Sequence, residues 1–404
     1  MVLPRAPQGA SVALPMHKGM GATMTIATAR STAAARVPLT DALALGPDVW
    51  DQVLSRSGAG SPFLTWAWHD ACADALPEAE VDSCQAVVSR SARGDVEAVF
   101  PFRVRRDRFW GVPVTGLGWA LGDLGCPDHL DLLASPAADL DALAGALENL
   151  PWVVIRLGNV AEAASNVARF CTACERRRWT VRRRFLGRCL YLELAGSWEA
   201  YLATLSSHRR RAIRSTERKL RREHDVVLTD YGQGRVEEGL HHLQRLHALR
   251  WEGGGAFRDP AMERLHRRFA AALADGGQLW LVTLDLDGAP AAVWYGFSLG
   301  NTVYHYQSGR DPQWERERVG TVLMGLMIRR AIERGYRRLD LLRGEEPYKT
   351  EWTRTARRCY EVVVFRTGWR GAALRGLDWI QRPLRGKGLR GIGDRFHRWL
   401  AQSR

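Results

Sequence analysis

Three short stretches of this sequence hold side chains able to do chemistry. Tyr304-His305-Tyr306-Gln307 has the alternation of a strand, with both tyrosines on one face and His305 with Gln307 on the other. An imidazole ordinarily titrates near neutral pH, so His305 is a candidate general base; the plainer alternative is a hydrogen-bonded core histidine. Arg316-Glu317-Arg318-Val319-Gly320-Thr321 leads into a helical pattern. The free N–H groups at a helix start, aided by the helix dipole, attract phosphate. Gly320 permits close backbone approach there, and Arg316 and Arg318 add positive charge. The third stretch, Arg209–Arg222, carries eight Lys/Arg and one acid, Glu217. It suits a phosphorylated lipid headgroup, an RNA, or an ordinary solvated helix face.

Other chemistries find less support. No serine or cysteine stands in a nucleophile motif. The seven cysteines are odd in number and scattered over a 404-residue chain, which suits a reducing cytoplasm better than a disulfide framework. Cys171 and Cys174 form one C-x-x-C without a second pair, and His241, His242 and His247 have no carboxylate at metal-like spacing, so no metal is expected. The net charge of +14 lies mostly in two tails: residues 1–36 hold +4 and residues 366–404 hold +8, leaving +2 for the rest. A nucleic-acid enzyme with a basic cleft would be charged through its body as well.

The elements that must position these residues follow from periodicity. Residues 1–36, rich in Ala, Thr, Gly and Pro, read as a disordered basic extension. Ser83–Ser89, Val96–Arg105, Pro151–Leu157 and Gly187–Leu194 read as strands, and Ala161–Arg178 as a helix. Gly111 to Asp123 gives no clear element. In the second half Asp225–Asp230 is a strand, Val236–Arg250 and Pro260–Ala274 are helices, and Gln278–Leu284, Ala289–Ser298 and Thr302–Gln307 form a meander whose turns are Asp287-Gly288 and Gly300-Asn301. A polar loop, a helix at Thr321–Arg334, a strand at Arg337–Leu342, a helix near Pro347–Arg354 and a strand at Cys359–Phe365 complete the pattern. The length suits two domains, 37–195 and 196–366, followed by a basic tail, 367–404, with Trp369, Trp379, Phe396 and Trp399 among its charges. No apolar run reaches the roughly 18–20 residues of a membrane-spanning helix.

The order strand, two helices, meander, loop, helix, strand, helix, strand resembles the GNAT acyltransferase fold. Local words narrow the likeness. Ser61-Pro62-Phe63 with Trp66 and Trp68, Ser207-x-Arg209-Arg210 to Leu220, Leu249-Arg250-Trp251, and Asp340-Leu341-Leu342-Arg343-Gly344-Glu345-Glu346-Pro347-Tyr348-Lys349 resemble the CelD-like acyltransferases linked to cellulose and exopolysaccharide loci. In plan these are similar to the Fem aminoacyl ligases, which carry two GNAT-like units. The resemblance covers about residues 45–366. It implies an α+β or α/β chain of two GNAT-like units in tandem, each a mixed central sheet flanked by helices.

It also implies roles. The donor would be acetyl-CoA or another acyl-CoA, with its pyrophosphate at Arg316, Arg318, Val319, Gly320 and Thr321, although Glu317 and Val322 occupy the outer positions of the usual Q/R-x-x-G-x-G/A word. His305, Tyr348 and Lys349 would be catalytic, Lys349 neutralising a phosphate or a developing oxyanion; without the surrounding word it would read as a surface lysine. Arg250, Trp251, Asp340 and Arg343 would line the acceptor cleft. The expected acceptor is an amine or hydroxyl of a cell-envelope or exopolysaccharide-related glycan or small molecule, and the expected setting is cytoplasmic, with 366–404 able to meet an anionic membrane surface. Two rivals follow: a Fem-like ligase fed by aminoacyl-tRNA, and a non-catalytic GNAT-like scaffold in polysaccharide assembly.

Overall fold

The computed structural model describes residues 33–109, 112–122, 124–232, 234–250 and 256–380. Its strands are β1 (Ala33–Pro38), β2 (Cys84–Arg90), β3 (Val96–Phe109), β4 (Val112–Trp119), β5 (Leu133–Ala134), β6 (Val154–Ala161), β7 (Thr180–Glu193), β8 (Val226–Asp230), β9 (Leu279–Leu286), β10 (Ala289–Leu299), β11 (Thr302–Arg310), β12 (Arg338–Arg343) and β13 (Ala356–Phe365). They make one mixed sheet of thirteen strands in the order β1-β2-β3-β4-β6-β13-β7-β12-β11-β10-β9-β8, with β5 pairing off-path with β3.

That order contains one pattern twice. From either edge inward come four strands in antiparallel register, then a parallel joint, then an antiparallel closing strand. The parallel joints are β4 with β6 and β11 with β12. The closing strands are exchanged: β7 precedes the second half in sequence yet pairs with β12, while β13 follows β12 yet pairs with β6. The two closing strands also pair with each other, from Ala356 opposite Leu190 to Phe365 opposite Thr180. The fold is α+β, two GNAT-like units in tandem sharing a sheet.

Helices cover the sheet where their apolar faces demand it. Trp66–Ala75, Val236–Arg250 and Pro260–Asp275 contribute Trp68, Leu243, Leu246, Leu265 and Phe269 to one core with Tyr295, Phe297 and Tyr304 of the sheet. Ser207–Glu223 and Val319–Glu333 cover another part, where Ile213, Leu220, Leu323 and Met327 meet Leu192, Trp294 and Leu339. Leu140–Ala146 and Ser165–Arg176 pack on Phe100, Ile155 and Val362. The meander turns form as its sequence demands: Asp287 (φ 52°) and Gly288 (φ 83°) both lie in the left-handed region that a tight hairpin requires.

Several stretches depart from the sequence expectation. Ala33–Arg36, read as the end of a disordered extension, opens β1 and pairs antiparallel with β2 from Ala33 opposite Arg90. Gly111 to Asp123, which gave no clear element, contains the whole of β4, paired with β3 along its length. β7 begins at Thr180, seven residues before the expected Gly187, because Arg182 and Arg184 are held by Glu361 and Asp378, and carboxylates let arginines occupy a central strand. The last described helix, Trp369–Ile380, carries Asp378 and lays Leu374 against Val154, Val363 and Phe365. Residues 381–404 and residues 1–32 lie outside the described residues, and with them most of the expected N-terminal extension, 1–36, and most of the tail.

Candidate functional site

The two parallel joints part, and the two partings differ. β4 and β6 pair over Gly116–Gly118 and Val154–Arg156 only. Beyond that the chain fills its own gap: the Leu130 N–H donates to the Asn159 carbonyl at 2.8 Å, and the Ala161 N–H donates to the Leu130 carbonyl at 3.1 Å. β11 and β12 pair over Thr302–Tyr304 and Arg338–Asp340 and then diverge. No described backbone segment is inserted there.

Both strands are bent out of the ladder by local chemistry. Tyr295 pairs with Gln307 while Gly296 pairs with His305, so Tyr306 is an extra, bulged residue. The bulge brings the Tyr304 carbonyl against β10; a Cβ on residue 296 would lie 2.0 Å from that oxygen. Tyr304 and Tyr306 anchor the bent strand by donating to the carbonyls of Gly60 (2.7 Å) and Gly125 (2.5 Å). On β12 the register shifts between Asp340 and Arg343, and Leu342 adopts a left-handed φ of 57° although it is bulky and buried. Asp340 supports that strained turn, its Oδ1 accepting the Leu342 N–H at 2.8 Å and meeting His129 Nε2 at 3.2 Å. Burial alone would lift the Asp340 pKa, but the His129 charge and hydrogen bond hold it below the usual carboxylate value.

The sequence-expected site residues fall into three groups. His305, Tyr348, Lys349 and Arg250 come together. The His305 ring stacks on Trp294 (centroids 5.0 Å apart, 21° between planes) and meets the Tyr348 ring edge-on at 6.4 Å. Arg250 lies over the Tyr348 ring at 5.3 Å and donates to Ser308 Oγ at 2.8 Å. The His305 side chain is buried, and neither ring nitrogen finds a well-formed hydrogen bond. Burial, then the charges of Lys349 and Arg250, pull its pKa down to about 3 against a small opposing effect of the Gln307 main chain. His305 is therefore neutral at ordinary pH, a hydrogen-bonding group of low basicity. Burial pushes the Tyr348 hydroxyl up, opposed by the neighbouring Lys349 and Arg250 charges, so it keeps its proton.

Lys349 is only 5% exposed. Its ammonium donates to the Arg343 carbonyl at 2.9 Å and pairs with Glu346 at 2.9 Å, which overturns its plain reading as a surface lysine. A buried ammonium on the carbonyl that ends β12 holds that strand end and charges the cleft together. Lys349→Met is expected to cost about 1–3 kcal/mol, because it leaves the Arg343 carbonyl unpaired. Urea denaturation measures this, and a shift below about 0.5 kcal/mol, the usual range for an open surface position, would contradict it.

Arg316, Arg318, Val319, Gly320 and Thr321 form the second group, at the start of Val319–Glu333. Arg318 caps that helix in the left-handed region (φ 54°) with no side-chain cap bond. The N–H groups of Thr321 and Val322 turn back to the Arg318 carbonyl. Space beside Gly320 is open: an added Cβ would meet nothing nearer than Arg310 Cδ at 3.8 Å. Arg310, on the parted length of β11, thus adds a cation that the sequence reading missed. Arg318 also lies 3.9 Å from Glu351, which Arg209 holds at 2.6 Å.

Asp340 and Arg343 form the third group, turned toward the first unit. The Arg343 N–H donates to Asp128 Oδ2 at 2.9 Å and its guanidinium donates to Asn159. Trp251 lies outside the described residues. His129 and Asp128 could not be found by motif, since they meet Asp340 and Arg343 across more than 200 positions.

A parted parallel strand pair beside an open helix start, on this strand order, defines a GNAT-like acyltransferase fold. Residues 207–350 match the model of the acetyltransferase (GNAT) domain. The structure of FemX resembles the chain over 82% of its length and 98% of FemX, at 11% identity and a TM-score of 0.54. A conserved protein of unknown function from Bacteroides thetaiotaomicron does so over 80% and 98%, at 11% identity and a TM-score of 0.52. A tandem GNAT protein from the clavulanic acid biosynthesis pathway covers 81% of this chain and 98% of its own, at 13% identity and a TM-score of 0.44. Identities this low speak for the fold. No curated protein matches the chain at a significant level.

Proposed function

We propose that the chain transfers an acyl group, acetyl being the simplest, from acyl-CoA to an amine or hydroxyl acceptor, with one donor site per chain in its second unit. The observation that carries this reading is the coincidence of two openings. β11 and β12 separate after Tyr304 and Asp340, and the uncapped helix start with free space at Gly320 stands beside Arg310 of the same parted strand. An extended arm bearing amides can add itself to a parted strand through main-chain hydrogen bonds. A pyrophosphate meets helix N–H groups and guanidinium charge at the other end. In the first unit Leu130 already occupies the equivalent parting, so one donor per chain is expected.

The residues at the cleft suit direct transfer. The acceptor nitrogen or oxygen attacks the thioester carbonyl, the carbon–sulfur bond breaks, and the departing thiolate needs a proton. Tyr348 keeps a proton to donate to it and regains one from the proton the acceptor sheds on acylation, so no net proton is left over, and the Lys349 and Arg250 charges oppose negative charge developing nearby. His305, neutral and unpaired, holds the carbonyl or acceptor by hydrogen bond rather than by taking a proton. The CelD-like likeness suggests a glycan-related acceptor met at the cytoplasmic face of a membrane, and we propose that the tandem divides near residue 195.

Calorimetry with CoA and acetyl-CoA tests the reading. Wild type is expected to bind one equivalent, and Gly320→Asp, which sets a carboxylate where phosphate should lie, to weaken binding at least tenfold. Equal affinities, two equivalents, or no binding by the wild type would defeat it. A tRNA-dependent ligase is then the next reading to examine.

A further inference from the structure

Three metal-ligating side chains meet where the two halves of the sheet join. They are the thiol of Cys189 on β7, the thiol of Cys359 on β13, and the carboxylate of Asp128, just before the Leu130 segment that fills the first parting. One ligand atom of each lies within 4.8 Å of the others, and all three residues are buried; among the described residues no other such trio occurs. The strand register creates the thiol pair. Cys189 stands opposite Arg357 and Cys359 opposite Gly187, so the cysteines are diagonal neighbours on one face of the ladder.

Asp128 is held ready beside them. Its main-chain carbonyl accepts from Ser61 Oγ at 3.1 Å and its Oδ2 accepts the Arg343 N–H at 2.9 Å. Its Oδ1 is buried with no hydrogen-bond partner, the Arg343 Nε lying 3.6 Å away. A buried carboxylate oxygen without a donor is costly, and a cation is one thing that removes the cost.

We propose that Asp128, Cys189 and Cys359 bind one thiolate-preferring divalent cation of the zinc class, with the fourth position open to a water molecule. Thiolate pairs select such ions over magnesium or calcium. Tetrahedral geometry with metal–sulfur bonds of about 2.3 Å sets the sulfurs about 3.8 Å apart, within the observed span. The charge also balances. Binding releases one proton from each thiol, so two new negative charges meet two new positive ones, and the existing Asp128–Arg343 pair is left as it was. The bound ion joins β7, β13 and the segment beside the filled parting, acting as a brace at the junction and not as part of the acyl-transfer cleft.

The test uses the full chain, stripped of metal under reducing conditions and titrated with cobalt(II). One equivalent should produce a near-ultraviolet thiolate-to-cobalt charge-transfer band with the strong visible absorption of a tetrahedral site. One equivalent of zinc should abolish both and raise the melting temperature. Cys189→Ser and Cys359→Ser should each remove the charge-transfer band, whereas Cys171→Ser should keep it. Folded wild-type protein that shows no thiolate band in excess cobalt overturns the proposal, whether the two thiols prove to be free or joined as a disulfide. Because the wild-type titration decides the matter, a variant that fails to fold does not obscure it.

Discussion

Gly296→Val is expected to be the most damaging single substitution in the second unit, lowering stability by more than about 4 kcal/mol. The new Cβ would stand 2.0 Å from the Tyr304 carbonyl oxygen and 2.6 Å from the Trp294 ring. Neither can yield cheaply. The carbonyl belongs to the bulged strand that Tyr304 and Tyr306 fasten to the first unit, and the ring is buried under His305. Losses of this size are exceptional among point variants and remove much of the roughly 5–15 kcal/mol that holds a typical domain together. Gly158→Ala is the control, because its added Cβ meets nothing within 4 Å. Urea midpoints should drop sharply for the first variant and by less than about 1 kcal/mol equivalent for the second. A Gly296 variant as stable as wild type would mean that the bulge is not a fixed part of the fold.

The second large effect separates two parts of the C-terminal region. Deleting residues 366–404 is expected to unfold or aggregate the chain, while deleting 381–404 leaves it folded. The longer deletion takes away Leu374, which covers Val363 and Phe365, and Asp378, which pairs with Arg182 and Arg184. Losing a buried leucine costs about 2–5 kcal/mol, and removing the Asp378 carboxylate from Arg182 and Arg184 adds to it. The shorter deletion removes seven Lys/Arg and Asp394, with Phe396 and Trp399. At about 1 kcal/mol for each basic residue near an anionic leaflet, that segment would suffice for salt-sensitive attachment if it meets such a surface. The full chain should therefore pellet with anionic vesicles at low salt and the 381–404 deletion should not, with RNA as the control ligand. Undiminished pelleting by the shortened chain would refute a membrane role for those residues, and tight RNA binding without vesicle binding would favour the tRNA-dependent reading.

Local pattern disclosed the second half of the fold well and the first half poorly. The meander β9–β11 announced itself through alternating apolar residues and two turn dipeptides, and Val319–Glu333 through one apolar face. β7 was half hidden because Arg182-Arg183-Arg184 reads as a polar loop until Glu361 and Asp378 are brought to it. For the site, the Tyr348-Lys349 word and the helix start were visible, and so was His305. Its low basicity was not, since that depends on burial and on two cations drawn from elsewhere in the chain. Asp128, His129 and Arg310 carried no signal. Their partners lie on strands that only the completed sheet makes adjacent.

The exchange of closing strands bears on how such a chain is made. β6 and β7 are finished long before Ala356–Phe365 leaves the ribosome, and until then the place between them stands open. At a synthesis rate of about 5–20 residues per second, some ten to forty seconds pass with two unpaired edges exposed. Severing the chain near residue 195 should therefore yield no half that folds by itself, since each would lack the strand the other holds. On this reading the unit of folding is the whole sheet, and the last-made of its described strands is the one that closes its middle.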